Sequence, residues 1–262
     1  MTKPSPVAPQ GRRPGLAAQA TARFVARLQA QYRRDNPAAV AALARLRRGA
    51  GRPAHDSPHG WGVDGLEHLA ELTYAAQAAT APDGAAPFPS SNTPRGETVA
   101  RRQEEAVHLA VTLWALHQQS IRDADMHRHG YSLGSAVRYL ALGRTGAEQG
   151  APPSQREDAD EQVNETIRKR FVRIGTSTSF ESLSTRLRDM VVLLRNARVP
   201  LDYGRLADQL YRWQKDAWQA DVRRAWGREF HLAAAPRGPR QQPDEDHDSG
   251  SDGGHPPRDP GE

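Results

Sequence analysis

Residues 168–214 read RKRFVRIGTSTSFESLSTRLRDMVVLLRNARVPLDYGRLADQLYRWQ, and the spacing of the apolar letters in this run decides the fold. Val163, Ile167, Phe171 and Ile174 recur at three- and four-residue intervals and predict a helix that Gly175 ends. Thr178 to Glu181 fits a capping box for a second helix, with Phe180, Leu183, Leu187, Val191 and Leu194 on one face. Pro200 breaks the chain, Asp202 caps a third helix, and Leu206, Leu210 and Trp213 carry its stripe. Trp218, Val222 and Trp226 form the last stripe, in a segment that ends VRRAWGREF at Phe230.

Upstream the same period repeats. Phe24, Leu28 and Tyr32 predict a helix from about Ala17 to Arg34. Asn36 reads as an N-cap and Pro37 as the first position of a helix that runs to Arg48 and stops at Gly49. Asp64 caps a helix carrying Leu66, Leu69 and Tyr74. A long helix from Glu97 to Gln118 presents Val99, Ala106, Leu109, Leu113 and Leu116, with Arg102 in phase with that stripe. Ser132 opens a helix bearing Leu133, Val137 and Leu140.

No run alternates with period two, so a sheet is not expected. The fold class is therefore all-α, a compact helical bundle in two packed lobes, 16–142 and 161–235, joined by a linker at 143–160. Residues 1–15 and 236–262 are rich in Pro, Gly and charge without periodicity and are expected to be disordered tails. The turn-rich stretch 80–96 is expected to be a surface loop.

Charge narrows the function classes. The chain carries 36 basic and 31 acidic residues, a net +5. Residues 236–262 hold three basic and seven acidic residues, a balance of −4, which leaves +9 on the rest. Lysine occurs only at positions 3, 169 and 215, so nearly every cation is an arginine, whose planar fork suits phosphate and stacks on bases. Codon bias toward Arg, Ala, Gly and Pro accounts for most of that ratio but not for the net positive charge. There is no cysteine, hence no disulfide, thiol nucleophile or thiolate site. No apolar run spans a bilayer, and the N-terminus lacks a signal-peptide core, so a cytoplasmic location with no membrane is expected.

No enzyme motif is present: no GxSxG elbow, phosphate loop, HExxH helix or calcium loop. His117 and Ser120 lie one helical turn apart without an orienting third group. Asp123, Asp125, His127 and His129 alternate through a polar connector, which suits a solvated turn better than a metal site. No catalytic residue, metal or cofactor is called for. The cationic clusters are the stronger signal. At 100° per residue, Arg170 and Arg173 flank the Phe171 face while Lys169 points the opposite way. Arg168 and Lys169 have Glu165 within helical reach as a partner, with Glu161 one turn further back. Arg101 and Arg102 open the long helix, where the dipole disfavours cations; Glu105 or a phosphate could receive them. Arg47 and Arg48, with Arg45, end a helix, where the dipole favours them. Arg186 and Arg188 lie beside the Leu187 face. A basic channel without base-reading elements would follow the backbone of a single strand.

The order of these motifs, with HQQS at 117–120 and SLG at 132–134, resembles the CasB family, the small subunit of the type I-E CRISPR surveillance complex (Cascade). The resemblance covers roughly residues 21–230 and is most specific in the C-terminal half. It implies a non-catalytic antiviral subunit that binds nucleic-acid backbone and stabilises the target and displaced DNA strands of the R-loop, while base pairing with the guide RNA reads the sequence. It implies other Cascade subunits as partners and self-association as a pair. By motif position it points to Arg47, Arg48, Arg101, Arg102, Lys169, Arg170 and Arg173, and more loosely to Arg186 and Arg188. The 80–96 loop, the 143–160 linker and the acidic tail depart from the family's compact members. The alternative is a helical protein–protein adaptor without nucleic-acid contact, docking through Trp213, Trp218 and Trp226.

Overall fold

In the computed structural model, residues 14–54, 66–78, 93–145 and 163–232 are described. Apart from their edges, the expected tails, loop and linker lie outside the described residues, and so do Asp64, expected as a cap, and Glu161, expected as a partner. Among the described residues the chain forms nine helices: α1 Leu16–Arg33, α2 Pro37–Gly49, α3 Leu66–Ala78, α4 Pro94–Gln118, α5 Leu133–Ala141, α6 Glu165–Gly175, α7 Phe180–Asn196, α8 Tyr203–Trp213 and α9 Asp216–Leu232. They contain no strand, only a lone parallel bridge between His127 and Leu201. The all-α class holds.

Local chemistry sets the ends of these helices. The Asn36 side chain accepts from the Ala38 and Ala39 N–H groups, with Pro37 at the first position, as the sequence predicts. α4 starts three residues earlier than expected, because Thr93 caps it by accepting from Gly96 N–H and Pro94 takes the first position, so Arg101 and Arg102 lie about two turns inside the helix rather than opening it, beyond the reach of its end dipole. The cap of α7 is Ser179 rather than Thr178. Ser179 has the extended backbone that a cap needs, and its box closes with Ser182, each hydroxyl accepting from the other's N–H, at 3.1 and 3.4 Å. Tyr74 also departs from expectation. It is 60% exposed, and Leu69 is the only buried residue of α3.

One buried apolar cluster runs through all nine helices, with α8 at its centre, packed on α1, α4 and α9. Trp114 is fully buried in α4, and its indole N–H donates to Gln29 of α1 at 3.2 Å. Gln29 also accepts from His127 N–H at 2.8 Å, so one buried amide ties α1, α4 and the connector together. The HQQS motif is structural throughout. His117 pairs with the Tyr203 hydroxyl at 2.8 Å. Gln118 donates to Ala124 C=O and accepts from Met126 N–H, at 2.9 and 3.0 Å. Ser120 takes a positive φ of 65°, its N–H donating to the Tyr32 hydroxyl at 3.2 Å.

Candidate nucleic-acid interface

Helices α4 and α7 lie side by side and parallel. At one end Arg101 and Arg102 border a hollow shared with Ser179 and Phe180. At the other, Arg195 Nε donates to Gln119 C=O at 3.2 Å. The end of α2 meets this pair midway: Gly49 packs against His108 and Thr112 of α4, and Gly51 against the Arg188 side chain of α7. With a rise of about 1.5 Å per residue, the Arg188 level lies roughly 9–15 Å along α4 from Arg102. Arg47, Arg48 and Arg52 are exposed beside it. The α2 end, the N-terminal half of α4 and the outer flank of α7 therefore bring Arg47, Arg48, Arg101, Arg102 and Arg188 into one neighbourhood.

These five side chains share a second property: none makes an ion pair or side-chain hydrogen bond among the described residues. Arg102 is partly buried, yet Glu105, its sequence-expected receiver, forms no pair with it. Arg170 and Arg173 on α6 are likewise exposed and unengaged among the described residues. Most other cations near them are committed. Arg168 bonds Glu165 at 2.7 Å and holds that carboxyl below the usual carboxylate range. Lys169 sits 4.0 Å from the same carboxylate. Arg186 turns into the protein, donating to Arg173 C=O and, at 3.0 Å, to Ser177 Oγ; it closes the α6–α7 junction.

The other candidate chemistries are absorbed by the fold. Burial drives the His117 pKa down to about 3, against a smaller opposing pull from the Leu194 and Val199 carbonyls, so the imidazole is neutral and sealed. Asp123 pairs with Arg198, Asp125 with Arg33 at 2.9 Å, and His129 with Asp202 at 3.0 Å. His127 Nδ1 accepts from Tyr203 N–H at 3.1 Å, and burial lowers its pKa more than nearby Asp202 raises it. Among the described residues no three such groups gather as metal ligands. Trp213 and Trp226 are each 2% exposed and belong to the core.

Sequence reading passed over Arg52, whose place beside Arg188 depends on the turn at Gly51, with φ +84°. It also passed over the hollow beside Arg101 and Arg102, which Thr178, Gln214 and Gln219 complete from segments distant in sequence.

No helix among the described residues is long and apolar enough to cross a membrane. The family model described as CRISPR-associated protein Cse2 matches residues 42–231. No curated protein matches the chain. Among solved structures, CasB from Thermobifida fusca is 38% identical, with a TM-score of 0.58 over 83% of this chain and 99% of that one. A chain of a CRISPR RNA-guided surveillance complex is 19% identical (TM-score 0.48, covering 82% and 94%). M. ruber CasB is 21% identical (TM-score 0.47, covering 82% and 93%). Together the match to the Cse2 model and the likeness to the T. fusca protein place this chain in the CasB (Cse2) family, the small subunits of type I-E Cascade.

Proposed function

We propose that the protein is a non-catalytic subunit that grips nucleic-acid backbone within the RNA-guided complex, stabilising the target and displaced DNA strands of the R-loop. Its partners are the other Cascade subunits with their guide RNA and a second copy of itself, and its place is the cytoplasm. The observation that carries the reading is the set of guanidiniums without partners among the described residues at the α2 end, the N-terminal half of α4 and the outer flank of α7. Arg170 and Arg173 add to it from α6. Such cations release counterions from a strand and confer little sequence preference. They would tip a strand exchange that is nearly balanced on its own. Lys169 and Arg186 contribute less, being engaged with Glu165 and the α6–α7 junction.

The test is charge reversal at Arg101, Arg102 and Arg188 in the assembled complex, reading target binding against salt. Each lost phosphate contact should flatten the slope of log K against log salt by about 0.7 for a single strand. Complexes that assemble normally and keep the wild-type slope would refute the reading in favour of the adaptor. The adaptor's expected docking stripe, however, has two of its three tryptophans in the core.

A further inference from the structure

The hollow between the N-terminal half of α4, the start of α7 and the α8–α9 turn has a volume of about 300 Å³, at the lower end of the range for small-ligand pockets. Arg101 and Arg102 give it two uncommitted guanidiniums, against the single carboxylate of Glu105. Phe180 gives it a partly exposed ring, backed by Trp213 with ring centroids 6.2 Å apart. Trp213 is 2% exposed and holds the Phe180 ring from the core side. The Thr178 hydroxyl is exposed and also unengaged among the described residues. Gln214, whose amide donates to Arg102 C=O at 2.8 Å, fixes the α8–α9 turn against α4 and keeps the hollow's shape.

A bare phosphate would use the guanidiniums and leave the ring idle. An apolar ligand would use the ring and strand the cations. A nucleotide uses both kinds of group. We infer that this hollow receives one nucleotide of the bound strand, its base turned out of the stack against Phe180 and its phosphate on Arg101 and Arg102. This rests on the proposed backbone-binding function and deepens it, naming one point on the track where a base is held. The hold is sequence-tolerant, because every base offers a stacking face.

The experiment compares binding of the full-length protein, at low salt, to a mixed-sequence single strand and to a strand of the same length in which every nucleotide is abasic. Backbone contact alone treats the two alike. The hollow predicts at least about five-fold weaker binding of the abasic strand at an unchanged salt slope, the lower end of the stacking contribution per base. Phe180→Leu should erase most of that difference and leave the slope intact. Thr178→Val, on the exposed rim, gives a second variant that does not touch the core. Equal affinity for the two strands overturns the hollow and leaves backbone binding standing. Failure of both strands to bind counts against the backbone reading itself and takes the hollow with it.

Discussion

Replacing Gly134 by alanine should loosen the packing of α5 on α9 by an amount that the structure sets. A Cβ at Gly134 would lie 2.6 Å from both Glu229 Cβ and Phe230 N, and closer still to Trp226 C=O. Ordinary carbon contacts begin near 3.5 Å, so the helices must separate by about 1 Å. Two of the three obstacles are backbone atoms, which no rotamer change relieves. Separation would also strain the bond from Arg138 of α5 to Phe230 C=O, 3.3 Å. Overpacking costs about 1–3 kcal/mol; the backbone obstacles argue for the upper end, and the gain of about 0.5–1 kcal/mol from placing Ala in a helix offsets part of it. The net loss is about 2 kcal/mol, or about 4–8 °C in Tm for a protein of this size. Thermal unfolding followed by circular dichroism measures it. Gly227→Ala, on the same α9 but facing open space, is the internal control and should raise Tm slightly. A Gly134→Ala protein that melts at or above wild type would refute the claim that α5 and α9 touch backbone to backbone.

Three further outcomes follow from named side chains. His117 has a folded pKa of about 3 against 6.5 when unfolded; the unfolded chain thus binds the extra proton between those values, and stability is lost as pH falls from 6.5 toward 3. By pH 5 that loss is about 2 kcal/mol, so His117→Gln should flatten the acid limb of a Tm-against-pH curve, and an unchanged limb would show that other groups govern it. Asp202, 3% exposed, caps α8 by accepting from Arg205 N–H at 3.0 Å and also accepts from Gly130 N–H at 3.1 Å; Asp202→Ala should cost about 2–3 kcal/mol in urea unfolding. Arg186→Ala should lower stability by about 1 kcal/mol with little effect on strand binding, whereas Arg188→Ala should do the reverse.

What was legible in the sequence was whatever helical period and cap chemistry encode. The stripes of α1, α7 and α8 and the caps at Asn36, Ser132 and Asp202 could be read from spacing alone. The start of α4 was missed although Thr93–Pro94 carries the signal, because the turn-rich letters before it masked a good cap. Ser179 and Thr178 are both cap-forming residues, and only the backbone conformation decides between them. For Tyr74, spacing gave a face but not what covers it. The SLG and HQQS motifs were visible as patterns without a reason. The reason for Gly134 is long-range, its close approach to α9, whereas Gln118 is required by the connector that directly follows α4.

The arginines show most sharply where sequence runs out. Arg186 and Arg188 stand two residues apart, about 200° around α7, and both flank the same apolar face. Helix geometry says they point to opposite sides; it cannot say what waits there. On one side the C-terminal end of α6 presents Arg173 C=O and Ser177 Oγ, and Arg186 turns in to bond both. On the other the Arg188 stem packs at Gly51, which has no side chain to displace it, and its guanidinium has no partner among the described residues. The same residue type becomes a structural bond or an uncommitted charge according to whether acceptors lie within reach. Among the described residues that rule separates the committed Arg168, Arg186 and Arg195 from the uncommitted Arg47, Arg48, Arg101, Arg102 and Arg188. It is also why the proposed binding surface rests on the absence of partners among the described residues rather than on the density of charge.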